Sequence, residues 1–422
     1  MAKDKVSIVG LGYVGLPLAL LTAKKGYEVS GIDLNTDKVD RINKHQDPLN
    51  DEYVQKNIKD SSLIAFSHFG SLKESKIVIV CVPTPVKHDY QPDLSPLKGA
   101  VEAIAKALTP GTLVIIESTI NPGVCEEVVI PLIEKTSGLK LNKDFHVSHC
   151  PERINPGDTK WSVENIPRVA GSSNQVGLDR TVKFYESIID APIRAMGTIK
   201  EAEAVKVVEN SFRDVNIAFV NELAMSFTKL GIDVKNVIEG ASTKPFAFMP
   251  HFPSVGVGGH CIPVDPYYLI EYARGYGFNH EFLALARSIN NRMPEFTVDQ
   301  LVAGLSETGT GLKGARVVVL GLSYKANVAD DRESPSYNVI KILEERGAKV
   351  DSYDPHILHK STSKTLDEAL AGKDAVILAT NHQEFLNIKP SDLKIKVFVD
   401  GKNVFSKKDF AKTGIVYRGI GR

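Results

Sequence analysis

The first 34 residues constrain the fold more than any other stretch. Val6 to Val9 is an apolar run of strand type that leads straight into Gly10-Leu11-Gly12-Tyr13-Val14-Gly15. Apolar residues with helical spacing follow through Leu16, Leu20 and Ala23 to Gly26. A second strand-like run, Glu28 to Ile32, ends on Asp33. A lone G-x-G-x-x-G is a weak signal, but strand, glycines, helix, strand and terminal acid in about 30 residues make a dinucleotide-binding unit. Gly10 permits the tight turn and Gly15 close packing of helix on strand. Gly12 lets the backbone approach a pyrophosphate at the helix N-terminus, where free N–H groups and the dipole favour anions. Asp33 accepts from ribose hydroxyls and its charge repels a 2′-phosphate, so the expected cofactor is NAD, not NADP. Tyr13, Val14 and Lys38 flank the turn and the acid and join them as cofactor-binding candidates.

The alternation continues. Lys76 to Val82, Leu113 to Ile116 and Phe145 to Ser148 are continuous apolar runs, as expected for strands buried on both faces of a parallel sheet. They end in Pro83-Thr84-Pro85, Glu117-Ser118-Thr119 and His149-Cys150-Pro151-Glu152-Arg153. Open α/β sheets bind ligands outside the carboxyl ends of their strands, so Thr84, Thr119 and Glu152 are candidates. A threonine at a strand end is as readily a turn or cap residue; Glu152 is the stronger signal. Glu201 to Leu230 reads as one long helix with Lys206, Asn210 and Arg213 on a shared face. It is too apolar around its circumference for a simple surface helix, which suits a connection between domains and a dimer interface. Phe282 to Asn290 reads as a further helix and Gly304 to Gly314 as a linker. Beyond it, strand, turn, helix, strand and Asp354 repeat the opening plan with Gly321-Leu-Ser-Tyr-Lys325 in place of the fingerprint. Lys325 and Arg332 are phosphate candidates there.

Pro253 to Leu269 reads PSVGVGGHCIPVDPYYL, with Gly256, Gly258 and Gly259 ahead of His260 and Cys261, and Asp265 four residues on. Glycines at that density admit close approaches, and a cysteine among them is either a nucleophile, reactive as the thiolate, or a small buried residue. The other three cysteines are widely spaced with no CxxC pair. That pattern excludes a disulfide scaffold and a structural zinc site and fits a reduced cytoplasmic enzyme without a metal. Lys+Arg and Asp+Glu both number 51, which argues against a nucleic acid or a membrane surface recognised by bulk charge. No apolar run approaches the about 20 residues of a membrane helix, and the N-terminus lacks signal-peptide architecture.

GLGYVGLP with Asp33, VPTP, ESTI, CPER, the Lys206/Asn210 helix, GVGGHCIPVDP, and GLSYK with RESPS together resemble the UDP-glucose/GDP-mannose dehydrogenase family over nearly the whole chain. The resemblance implies an α/β fold of two Rossmann-like domains with parallel sheets joined by a long central helix. Expected boundaries are 1–195 for the NAD-binding domain, 196–303 for a central helical region carrying the cysteine loop, and 304–422 for a UDP-sugar-binding domain. It also implies a homodimer and a four-electron oxidation of a sugar C6 hydroxyl to a carboxylate with two NAD. Cys261 matches the family nucleophile, Lys206 an acid/base or oxyanion-stabilising lysine, Asn210 an oxygen-binding partner and Glu152 the glutamate of hydrolysis. Asp265 and Thr119 match residues that hold a catalytic water and the cofactor. Tyr324 and Lys325 match substrate contacts, and Arg332 an arginine reaching NAD. Pro156 and His260 replace residues usual in UDP-glucose members, which resembles the UDP-N-acetylhexosamine branch. Arg153, Ile154, Arg213, Lys244 and Gly258 then become substrate contacts. UDP-N-acetylglucosamine fits best, with the manno and galacto sugars open, UDP-glucose less so. A non-catalytic nucleotide-sugar-binding module is the other class.

Overall fold

The computed structural model describes residues 4–85, 92–154, 160–259 and 261–422. It falls into two compact units. The first comprises Met1–Glu209 with Tyr267–Phe278, the second Asn210–Pro266 with Asn279–Arg422.

The first unit holds an eight-stranded sheet: β1 (Lys5–Val9), β2 (Glu28–Ile32), β3 (Ile64–Phe66), β4 (Ile77–Val80), β5 (Thr112–Ile116), β6 (Phe145–His149), β7 (Arg168–Ser172) and β8 (Ile193–Ala195). Their order is β3-β2-β1-β4-β5-β6-β7-β8. The first six strands have the dinucleotide-binding order, with the reversal beside β1 where such folds bind their ligand. Neighbours run parallel except β6 and β7, which are antiparallel. Side chains alternate faces along a strand. Val6, Ile8, Ile77 and Ile79 enter one core, whereas Val9, Val78, Val80 and Ile116 enter the other. Burial on both sides is what the unbroken apolar runs demand. Helix α1 (Gly15–Lys24) follows the glycine turn and is buried along nearly its whole length.

The second unit holds β9 (Arg316–Leu320), β10 (Lys349–Tyr353), β11 (Ala375–Leu378), β12 (Val397–Asp400) and β13 (Val416–Gly419). All are parallel, in the order β10-β9-β11-β12-β13. Val317 and Val319 face one core, Val318 and Leu320 the other. Helix α2 (Ile199–Leu230) runs from the first unit into the second. Helix α3 (Asp265–Gly275) follows the cysteine loop.

One boundary differs from the sequence reading. Helix α4 spans Glu281–Glu307 and carries Pro294 inside it. Proline normally halts a helix, but the buried positions Met293, Val298, Leu301 and Leu305 keep the helical spacing past it. Gly304 is therefore no linker residue: a Cβ there would lie 2.7 Å from Val397 Cγ1, so it permits the helix to approach β12.

Candidate functional site

In the glycine turn the three glycines have different tasks. Gly10 has φ +93°, and a Cβ on it would lie 2.7 Å from the Cys81 carbonyl oxygen. A Cβ on Gly15 would lie 1.9 Å from the Gly10 carbonyl oxygen. Both are needed for packing, whereas Gly12 faces open space, with nothing within 4 Å. The Asp33 carboxylate accepts from the Leu11 amide at 3.0 Å and the Asn35 amide at 3.0 Å. It also pairs with Lys38 Nζ at 2.7 Å. The acid thus holds the turn, and its charge is partly met by Lys38, a pairing the sequence reading had not drawn. Tyr13 is half exposed, its hydroxyl donating to the Leu49 carbonyl at 3.3 Å; Val14 is partly buried at the head of α1. An open Gly12 face with an acid at the end of β2 fits NAD.

The strand-end loops of this unit are laced together. Thr84 Oγ1 donates to the Thr119 carbonyl at 2.6 Å, and Ser118 Oγ to the Val82 carbonyl at 2.7 Å. Beyond β6, Glu152 is buried with Lys206 Nζ 3.5 Å from its Oε2. The same ammonium donates to the Glu152 main-chain carbonyl. Burial raises the Glu152 carboxyl above its ordinary range, against the pull of Lys206 and Arg168. A desolvated carboxyl next to an ammonium is an arrangement that suits proton transfer. Arg153 is already engaged by the Glu209 carboxylate and by the Pro167 carbonyl at 2.9 Å. Ile154 beside it is partly buried, and Pro156 lies outside the described residues.

Sequence reasoning missed what lies behind this loop. Arg168 Nη1 and Glu117 Oε1 form a wholly buried ion pair at 2.7 Å, with the Tyr185 hydroxyl 2.5 Å from the same oxygen. No local signal joins residues 51 apart. Burial pushes the Cys150 thiol up to about 12, and burial likewise raises Cys81 and Cys125. All four cysteines are free and Cys261 alone is exposed.

In the second unit, Asn210 Nδ2 lies 2.5 Å from Asp265 Oδ2. Asp265 opens α3, and its amide donates to the Cys261 carbonyl at 2.8 Å. Lys206 and Asn210 sit one turn apart on α2. His260 lies outside the described residues. Arg213 and Lys244 are exposed, the latter with Nζ 4.7 Å above the Phe246 ring. The glycines of the cysteine loop have close neighbours. A Cβ on Gly258 would lie 2.7 Å from Tyr324 Cβ, on Gly259 2.9 Å from Tyr324 Cε2, and on Gly256 2.8 Å from Pro335 Cβ. Gly258 and Gly259 accommodate Tyr324 of the loop after β9, and Gly256 accommodates Pro335. Gly259 also donates to the Arg332 carbonyl at 3.0 Å, while the Arg332 side chain pairs with Asp330 at 2.6 Å. Lys325, next to Tyr324, is partly buried.

Asp354 ends β10 as Asp33 ends β2, but it is wholly buried. Its carboxylate accepts from the Leu322 and Ser323 amides at 2.7 and 2.8 Å and from His382 Nε2 at 2.9 Å. Burial opposes its charge, yet the His382 and Ser323 hydrogen bonds hold the carboxyl far below its usual range. This copy of the strand-end acid has no face left for a ribose. His356, His382 and Glu384 cluster within metal-ligand reach. Both His382 nitrogens are committed, Nε2 to Asp354 and Nδ1 to the Asn327 amide at 2.9 Å. A cavity of about 710 Å³ opens among Lys235, Phe252, Lys402, Val404, Phe405 and Asp409, none of them foreseen. Desolvation in its wall draws the Lys402 ammonium down to about 8, against the pull of Asp400.

A dinucleotide turn, a carboxyl–ammonium pair at the strand ends and a second open sheet without the fingerprint define an NAD-dependent oxidoreductase. Models of the UDP-glucose/GDP-mannose dehydrogenase family match three successive parts of the chain. These are the NAD binding domain over residues 4–189, the central domain over 200–292 and the UDP binding domain over 318–407. A UDP-N-acetyl-D-glucosamine 6-dehydrogenase of Pseudomonas aeruginosa is 39% identical over 400 residues, 93% of this chain and 94% of that one. The solved UDP-D-ManNAc dehydrogenase of Pyrococcus horikoshii superposes with a TM-score of 0.93 at 34% identity, covering 99% of each chain. An NDP-N-acetyl-D-galactosaminuronic acid dehydrogenase of Methanosarcina mazei Go1 gives 0.87 at 30% identity over 99% of this chain and 95% of that one. The chain belongs to the UDP-glucose/GDP-mannose dehydrogenase family.

Proposed function

We propose that the protein oxidises the C6 hydroxyl of a UDP-N-acetylhexosamine, UDP-N-acetylglucosamine first, to the uronic acid. The observation that carries this reading is the single exposed thiol, Cys261, on a loop held by the Asn210–Asp265 contact. The 39% identity to a UDP-N-acetyl-D-glucosamine dehydrogenase supports the substrate. UDP-N-acetylmannosamine is the second reading, favoured by the likeness to the Pyrococcus enzyme.

NAD, held by Gly10, Gly12, Gly15 and Asp33, supplies the hydride acceptor for both oxidations when bound. The chain's residues carry the rest. A base takes the C6 hydroxyl proton as the first hydride leaves, giving an aldehyde. The Cys261 thiolate adds to that carbonyl and the oxygen takes a proton, giving a thiohemiacetal; loss of that proton and the second hydride leaves a thioester. Lys206 and the Asn210 amide stabilise the developing oxyanion. Glu152 takes a proton from the water that attacks the acyl carbon, and the thiolate departs as the carboxylate forms. Thr84, Thr119, Tyr13, Val14, Lys38 and Arg332 serve the cofactor, and Asp265 orients water. Arg153, Ile154, Arg213, Lys244, Gly258, Tyr324 and Lys325 hold the UDP-sugar. A non-catalytic binding module would have no use for a buried Glu152–Lys206 pair.

A homodimer belongs to the same reading. Val208, Phe212 and Phe219 lie on one face of α2 and are 53%, 51% and 55% exposed, an apolar stripe of the kind that marks an interface. A cytoplasmic location and a role in polysaccharide precursor synthesis complete it. Assayed across UDP-sugars, the protein should yield about two NADH per UDP-N-acetylhexosamine. Cys261→Ser should lose acid formation yet keep NAD binding. One NADH per sugar, or near-normal turnover of the variant, overturns the mechanism.

A further inference from the structure

Asp354 holds the turn after β9 in the register in which Asp33 holds the turn after β1. The Gly10 amide donates to the Ile32 carbonyl and the Leu11 amide to the Asp33 carboxylate. Likewise the Gly321 amide donates to the Tyr353 carbonyl at 2.9 Å and the Leu322 amide to Asp354 Oδ2 at 2.7 Å. Asp354 is engaged further. Its Oδ2 also accepts from the Ser323 amide and hydroxyl at 2.8 and 2.9 Å, and its Oδ1 from the His356 amide at 2.8 Å. His382 Nε2 stands 2.9 Å from the same Oδ2.

His382 is wholly buried, in the loop after β11. Its Nδ1 faces the Asn327 amide at 2.9 Å. An amide N–H can only donate, so Nδ1 carries a lone pair and the proton of the neutral ring sits on Nε2, where the carboxylate accepts it. The ring is a fixed tautomer that bridges the acid under one end of the loop and the amide at the other. Asn327 has φ +59°, a left-handed conformation that a residue with a side chain holds only with support. Its own Oδ1 accepts from the Gln383 amide at 3.0 Å. Tyr324 and Lys325 lie between the two clips. We infer that His382 is a positioning residue for the nucleotide: it holds the Asn327 end of this loop so that Tyr324 and Lys325 meet the UDP in one arrangement. Without the Nδ1 acceptor the turn samples further shapes, and apparent affinity falls with the fraction that stays competent. The inference rests on the substrate contacts proposed for Tyr324 and Lys325, and all its residues belong to the second unit.

The test is calorimetric binding of UDP to the full chain, beside thermal melting of the same variants. A glutamine amide nitrogen stands about where Nε2 stands; it can donate to Asp354 but leaves the Asn327 amide without an acceptor. An asparagine oxygen stands about where Nδ1 stands; it serves the Asn327 amide but leaves the buried Asp354 short of one donor. Stability should therefore rank His382→Gln above His382→Asn, because the buried charge is the costlier group to leave unmet. UDP affinity should rank them the other way, with His382→Gln about tenfold weaker than the unaltered protein and His382→Asn within about threefold. Asn327 is exposed, so Asn327→Ala folds even where a His382 variant does not. With the left-handed turn disfavoured, it should weaken UDP about tenfold while its Tm stays within about 4 °C. The inference is overturned if UDP affinity follows stability in the two His382 variants, or falls equally in both, or stays unchanged in Asn327→Ala. UDP that fails to bind the unaltered protein overturns this inference and the UDP-sugar reading together, whereas equal binding across the variants overturns this inference alone.

Discussion

His149 should make the first unit acid-labile, and the size of the effect follows from where it sits. It ends β6, directly opposite Gly171 of β7. Residues opposed across an antiparallel pair share a face, and the Gly171 side of the sheet is tight. A Cβ on Gly171 would lie 2.5 Å from the Thr198 carbonyl oxygen and 2.8 Å from Ala202 Cβ, at the start of α2. The imidazole is wholly buried, and its hydrogen bonding with the Ile116 main chain only partly offsets that burial. Burial, then the nearby Lys206 ammonium, lowers its pKa from 6.5 to about 3. Between these values the unfolded chain binds a proton that the native protein does not, so stability falls as the pH drops below about 6.5. At pH 5 the gap of about 1.5 units is worth roughly 2 kcal/mol, at about 1.4 kcal/mol per unit. For a unit of about 200 residues that is roughly 4–8 °C in Tm. Replacing His149 by Leu removes the proton. Thermal melting at pH 7.5 and pH 5.0 should show the variant losing roughly 4–8 °C less than the unaltered protein over that interval. Equal losses would refute the reasoning, since every other group titrates alike in both proteins.

Two further outcomes follow from the buried pair and the apolar stripe. Arg168→Met leaves the Glu117 charge unpaired in the core and should cost about 3–5 kcal/mol; in calorimetry, adding Glu117→Gln should recover most of the loss, and no recovery would contradict the pairing. Phe212→Glu/Phe219→Glu places charge on the exposed face of α2 and should shift sedimentation at micromolar concentration from dimer to monomer, whereas a monomeric unaltered protein would remove the dimer from the proposal.

How much was legible depends on how local each determinant is. The glycine turn was readable because Gly10, Gly12, Gly15 and Asp33 act within 24 residues of one another, and each task follows from backbone geometry. The repeat in the second unit was readable for the same reason, but not the fate of its acid. Nothing near Asp354 in the chain announces that His382 and the Ser323 amide will consume it. The Glu117–Arg168 pair and the Glu152–Lys206 pair join residues 51 and 54 apart, and a single sequence carries no record of such pairings. Gly304 misled because its local preference, to loosen a helix, was overridden by the apolar positions buried around it.

The packing of Tyr324 into the space above Gly258 and Gly259 has a consequence for how such a chain changes over generations. A Cβ at Gly259 collides with the Tyr324 ring, and one at Gly258 with the Tyr324 Cβ and the Glu333 main-chain oxygen. Positions 258 and 259 should therefore stay glycine whatever residue stands at 324, because the Glu333 main chain and the positive φ of Gly259 exclude a side chain independently of the ring.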